Sequence, residues 1–119
     1  LLYEDEWEYM AKKSPIKYED LNIDYRNQYI VEYNEKYTNE DNINELMGSN
    51  YEWCQETIYP YDGFVIDPLY REMSYPFFGF KRVCRGASWC TAKELAYPSY
   101  RNAQYPDCTK QYIGFRIAL

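Results

Sequence analysis

Arg85-Gly86-Ala87-Ser88-Trp89 sets the architecture expected of this chain. Three small residues held between an arginine and a tryptophan predict a tight turn joined to a buried strand. Lys81 to Arg85, just before it, reads as that strand. Downstream, Gln111 to Ala118 reads as the last strand, and its Gly114-Phe115-Arg116 implies that this strand is clamped by a cation. Upstream, Met47-Gly48-Ser49-Asn50 is a turn that leads into the strand-like aromatic run Tyr51-Glu52-Trp53-Cys54.

The remaining segments divide by texture. Residues 3–13 predict a helix, because Trp7, Met10 and Ala11 recur at helical spacing. Acids precede them at Glu4, Asp5 and Glu6, and Lys12-Lys13 follow, as the helix dipole favours. Ser14-Pro15 stops it. Residues 14–45 read as a polar surface insertion with one short strand around Tyr29 to Tyr33. Tyr59 to Phe64 is a Pro/Gly turn, Pro76 to Phe80 an aromatic loop, and residues 91–110 are irregular. One helix, a few strands and many turns imply a loop-rich α+β domain with a small antiparallel sheet. Trp7, Trp53, Trp89 and Phe115 are the expected large core residues.

Composition limits the chemistry. The chain has 119 residues, four cysteines, 16 tyrosines and no histidine. Without imidazole there is no His-ligated metal and no Ser-His or Cys-His nucleophile within this chain. A net charge of −6 argues against binding a nucleic-acid backbone. No apolar run is long enough for a membrane span, and a cytoplasmic location is favoured. The chain begins Leu1-Leu2 with no Met or leader, so further residues are expected upstream, whereas Ile117-Ala118-Leu119 looks like a natural end. Cys54, Cys84, Cys90 and Cys108 lack zinc-ribbon spacing and disulfide-scaffold density. They are expected to be free and mostly buried, with no Cys84–Cys90 bridge.

Several segments taken in order resemble the formylglycine-generating-enzyme/sulfatase-modifying-factor family. Leu1 to Tyr9 is similar to its helix motif RLPTEAEWEYA, Met47 to Trp53 to MLGNVWEW, Arg82 to Trp89 to RVLRGGSW, and Gly114-Phe115-Arg116 to its closing GFR. Within the family, Tyr59 to Phe64 and Tyr70 to Gly79 resemble PYPGF…YREYSEPFFG. Tyr100-Arg101-Asn102 with Tyr105-Pro106 resembles FRNxxxP. That is the pattern of the ergothioneine-synthase branch, non-haem iron sulfoxide synthases that join a cysteine-containing thiol to trimethylhistidine. The resemblance implies a C-type-lectin-like fold for residues 1–119, as the C-terminal portion of such a domain.

It also implies roles. In that branch an upstream helical domain supplies three histidine ligands for Fe²⁺, and the lectin-like part supplies substrate contacts and a tyrosine. The tyrosine falls on Tyr70, where a phenol can donate a proton or an electron. Asn102 matches a substrate-contacting asparagine. In well-studied members Trp-Asp follows it, with an arginine four residues past the Asp; here those positions are Ala103, Gln104 and Cys108. The charged pair that would hold zwitterionic substrates is therefore missing from this loop. The cysteine pair of copper-type members falls near Lys93 and Pro98, where there is no thiol. A calcium site of some relatives maps onto Glu45, Gly48, Asn50 and Glu52, a hard-oxygen set suited to Ca²⁺, although the favoured reading is that Glu52 simply pairs with an arginine.

Two function classes follow. One is the lectin-like part of an iron-dependent sulfoxide synthase, with a small thiol or amino-acid derivative as ligand and an upstream domain or partner chain holding the metal. The other is a non-catalytic binding or structural module on the same scaffold. A secreted domain with two disulfides is a third and weaker reading.

Overall fold

The computed structural model describes residues 1–26, 37–109 and 112–119. The expected strand at 29–33 lies outside them. One α-helix, α1 (Glu4–Lys13), packs on a sheet of four strands: β1 (Tyr51–Thr57), β2 (Arg82–Gly86), β3 (Asn102–Gln104) and β4 (Ile113–Phe115). Short 3₁₀ turns occupy Tyr18–Asp20, Arg71–Met73, Tyr75–Phe77 and Lys93–Leu95. No helix among the described residues is long and apolar enough to cross a membrane.

The α1 boundaries follow from local chemistry. The Glu6 carboxylate accepts from the Tyr3 N–H at 2.9 Å, closing the first turn. Glu4, Asp5 and Glu6 sit at the positive end of the helix and Lys12 and Lys13 at the negative end. Trp7 and Ala11 lie one turn apart on the face that packs into the core. Trp7 is 1% exposed, and its indole N–H donates to Glu52 Oε2 at 3.0 Å. Burying a ring this completely makes its loss cost about 3–5 kcal/mol.

The strand order is β3-β2-β1-β4. β1 runs antiparallel to β2, with Trp53 opposite Cys84 and Glu52 opposite Arg85. β2 runs antiparallel to β3, with Arg82 opposite Gln104 and Cys84 opposite Asn102. β4 pairs with β1 in parallel, so the expected antiparallel sheet is in fact mixed. The cause is topological: from β3 at one edge the chain crosses to the opposite edge and re-enters in the direction of β1. β3 itself falls inside 91–110, the region expected to be irregular. Gly86 ends β2 with φ +89, and a Cβ there would sit 3.2 Å from both the Leu46 carbonyl and the Trp7 ring. The expected turn at 85–89 thus brings its backbone close against the core tryptophan.

Two further expectations are corrected. Leu21, Asn22 and Ile23 are buried, and Leu21 and Ile23 belong to the same core as Trp7, Leu46, Cys54 and Val83. Residues 14–45 are therefore partly a wall of the core rather than a surface insertion; polar neighbours hid the short apolar pair. Phe115 is 67% exposed, because β4 is an edge strand and only one of its faces meets the sheet interior. Trp53 and Trp89 are half-buried, and Trp89 stands edge-on between Tyr25 and Tyr112 at 5.4 Å from each ring.

Candidate functional site

Ion pairs hold the cleft's frame. Arg85, fully buried on β2, donates through Nη2 to Glu8 Oε2 at 2.6 Å and lies 3.0 Å from Glu4 Oε1. Its Nη1 donates to the carbonyls of Pro98 and Tyr100 at 2.8 and 3.2 Å. Arg101 grips Glu4 with two bonds, Nε to Oε1 at 2.6 Å and Nη2 to Oε2 at 2.9 Å. Its guanidinium also lies 4.1 Å from the centre of the Tyr61 ring and donates to the Tyr59 carbonyl at 2.9 Å. Helix α1 thereby fixes where residues 98–101 run, and β3 follows directly from them.

A cleft of about 550 Å³ opens between β3 and the aromatic loop. Tyr100, Arg101, Asn102, Ala103 and Gln104 line one wall. Phe64, Glu72, Ser74, Phe77 and Phe78 line the other, with Ile58 and Lys81 where the walls meet. Phe64 and Phe78 meet edge to face at 5.6 Å, a favoured ring geometry. The loop is pinned at its base: Gly79 N–H donates to the Ile58 carbonyl at 3.0 Å and Ile58 N–H to the Lys81 carbonyl at 2.8 Å.

The residues expected from the sequence divide around this cleft. Asn102 and Gln104 line it; the Asn102 side-chain oxygen accepts from the Ala103 N–H at 2.8 Å. Cys108 is half-buried and does not line it. Tyr70 is 60% exposed and also stands outside, although Glu72 and Ser74, just beyond it in the chain, line the wall. The Tyr70 carbonyl accepts from Ser74 Oγ at 3.5 Å. Glu72, Phe77, Phe78 and Lys81 were not expected as site residues. The only sequence signal for them was the Tyr70–Gly79 motif, in which Glu72, Phe77 and Phe78 stand.

Glu45, Asn50 and Glu52 line a separate small cavity of about 160 Å³ beside Arg116. Arg116 Nη2 donates to Glu52 Oε1 at 2.7 Å and its Nε to Oε2 at 3.1 Å, while Trp7 donates to Oε2 as well. Burial raises the Glu52 carboxyl above its ordinary value in spite of these donors. Burial raises Glu45 too, and Ser49 Oγ donates to it at 3.1 Å. Gly48 is pressed against the Asn22 backbone. Both Glu52 oxygens are thus taken by a guanidinium, and this set does not fit Ca²⁺ in this arrangement. The arginine pairing is the one found, and it is the cation clamp expected of Gly114-Phe115-Arg116. No group of three or more carboxylates or thiols suited to a metal ion occurs among the described residues.

All four cysteines are free thiols. Burial pushes Cys54 and Cys84 up to about 12, which removes the thiolate that reactivity needs.

One helix braced through buried ion pairs to a mixed sheet, with a loop-built cleft against an edge strand, defines a loop-rich α+β domain. Residues 2–119 match the sulfatase-modifying factor enzyme 1-like domain, and the chain belongs to that family. It is 34% identical over 79 residues to a hercynine oxygenase of Mycolicibacterium thermoresistibile, covering 62% of this chain and 18% of that protein. It is 36% identical over 75 residues to the hercynine oxygenase of Mycobacterium tuberculosis, covering 62% and 17%. The chain thus spans less than a fifth of the length of these curated relatives.

Proposed function

We propose that this chain is the C-terminal, C-type-lectin-like portion of an iron- and oxygen-dependent sulfoxide synthase of the ergothioneine pathway. In this reading the cleft between β3 and the aromatic loop is part of the pocket for the thiol or the trimethylhistidine. The observation that carries the reading is the meeting of two separate branch motifs, residues 70–79 and 100–106, on that one cleft. Hercynine oxygenases among the relatives support the same chemistry.

The iron ligands would come from an upstream domain or a partner chain, because this chain has no histidine. What the chain contributes is position. Arg101 and Arg85 tie the 98–104 segment to α1, and the rings of Phe64, Phe77 and Phe78 keep water from one wall of the pocket. Tyr70, largely exposed on the same loop, is free to face a reacting centre completed by the other domain. Its phenol would hold or pass a proton there.

One observation favours the rival reading of a non-catalytic module: Ala103 and Gln104, which replace the branch's Trp-Asp, both line the cleft. A single experiment separates the two. The protein expressed with its upstream region and supplied with Fe²⁺, oxygen, cysteine and trimethylhistidine should form the sulfoxide, read by mass spectrometry. Absence of product from iron-loaded, folded protein would establish the module instead.

A further inference from the structure

We propose that Lys81 is the carboxylate-binding cation of the cleft, selecting a small amino acid whose ammonium group lies toward Glu72. Lys81 has this role only if the cleft is the substrate pocket proposed above.

Of the two cations in the cleft wall, only Lys81 is uncommitted. Arg101 gives two hydrogen bonds to Glu4 and a third to the Tyr59 carbonyl. Lys81 pairs with no carboxylate among the described residues. Its ammonium instead lies 3.6 Å from the centre of the Phe77 ring and 5.1 Å from that of Tyr105. Two ring faces attract a cation but leave its N–H donors free to turn toward an anion. The backbone of Lys81 is fixed at both ends, its N–H to the Phe77 carbonyl at 3.1 Å and its carbonyl to the Ile58 N–H at 2.8 Å. It directly precedes Arg82, whose partner across the ladder is Gln104. Lys81 and Gln104 line the same cleft, and Gln104 is one of the two positions where the branch's charged residues are missing.

Glu72 lines the same cleft and makes no ion pair with Lys81. Two opposite charges kept apart in one cleft suit a zwitterion. The aromatic surface between them suits an apolar or sulfur-bearing side chain. Both a thiol amino acid and a histidine-derived betaine carry the carboxylate in question, so the shared chemistry is the α-carboxylate.

The test uses two pairs of probes that differ by that group, L-cysteine against cysteamine and L-histidine against histamine. Binding to the isotope-labelled 119-residue chain is followed by amide shifts of Phe77, Phe78 and Asn102. For at least one pair the carboxylate-bearing member should bind about tenfold more tightly, the worth of one charge-assisted contact. Lys81→Gln should abolish that preference and Lys81→Arg should keep it, with thermal unfolding showing both variants folded. A preference in neither pair, or one that survives Lys81→Gln, would overturn the role of Lys81 while leaving the pocket standing. Failure of all four probes to move the cleft amides would sink the pocket and the role of Lys81 together.

Discussion

Arg85 on β2 and Glu8 on α1, 77 residues apart in sequence, meet across 2.6 Å and join the two elements. The guanidinium is fully buried, while Glu8 keeps some contact with solvent. A buried pair is weak evidence of net stability, but removing one member strands a charge and costs about 3–5 kcal/mol. Arg85→Ala also frees the Pro98 and Tyr100 carbonyls. Its unfolding free energy, read from urea denaturation, should therefore drop by that amount, far more than for Lys12→Ala on the exposed side of Glu8. A loss below about 1 kcal/mol, the scale of an exposed pair, would show that Arg85 is not the brace.

The same pair makes stability depend on acid. Burial alone would raise the Glu8 carboxyl, but hydrogen bonds and charge from Lys12 and Arg85 hold it below its ordinary 4.5. A carboxyl lowered by folding binds its proton more readily in the unfolded chain. Its contribution is therefore complete above 4.5 and disappears as pH falls through the folded value. Glu52, raised by burial, acts in the opposite sense, so the difference between the unaltered chain and Glu8→Gln isolates Glu8. That difference in unfolding free energy should be constant above 4.5 and shrink below it. A difference that grows on acidification would contradict the assignment.

Gly48 tests how tightly residues 21–23 close the core. It has φ +88, and a Cβ there would lie 2.8 Å from the Asn22 carbonyl oxygen and 3.0 Å from the Asn22 nitrogen. A left-handed backbone costs a residue with a Cβ roughly 1–2 kcal/mol, and a backbone clash adds to it. Gly48→Ala should lose more than about 2 kcal/mol in denaturant unfolding. Gly114→Ala, with nothing within 4 Å, should stay within about 0.5 kcal/mol. Equal losses would mean that the Asn22 segment yields freely.

What could be read from the sequence was local. Helix α1 was legible because Trp7, Ala11 and the ordered charges obey one period. The β2 strand and the Gly86 turn were legible because small residues stand where a backbone must come close. The cation clamp of Arg116 was legible as a motif and Glu52 as a partner for some arginine, but that these two, 64 residues apart, meet was not. β3 carries Asn-Ala-Gln, with no alternation to betray it. The parallel β4 and the exposed Phe115 depend on which edge the chain returns to, which no short pattern encodes. Asn102 and Gln104 were found through a family motif. Lys81 lines the cleft where its backbone bonds to Phe77 and Ile58, contacts that no short pattern encodes.

Burial pushes the thiols of Cys54 and Cys84 up to about 12, whereas Cys90 and Cys108 are half-buried. Thiolate is the reactive form. Iodoacetamide at mildly alkaline pH should therefore modify Cys90 and Cys108 in the native chain and spare Cys54 and Cys84 until denaturant is added. Peptide mapping reads each site. Early modification of Cys54 or Cys84 would reveal an opening of the β1–β2 core that this structure does not contain.

Tyr70 and Tyr61 separate chemistry from packing. The Tyr61 hydroxyl donates to Glu4 Oε1 at 3.3 Å and accepts from Arg85 Nη2 at 3.4 Å, so it belongs to the α1 brace. The Tyr70 hydroxyl bonds to nothing among the described residues, and the side chain is largely exposed. Removing the Tyr61 hydroxyl should cost about 1 kcal/mol of stability and leave turnover of the folded protein nearly unchanged. Removing the Tyr70 hydroxyl should leave the unfolding midpoint unchanged. On the function proposed above, it should slow sulfoxide formation by the protein expressed with its upstream region by about 10²-fold or more, the scale of a lost proton donor. Paired measurements of midpoint and rate on Tyr61→Phe and Tyr70→Phe should thus cross. If Tyr70→Phe shifts neither quantity, the tyrosine is a surface residue without the proposed role.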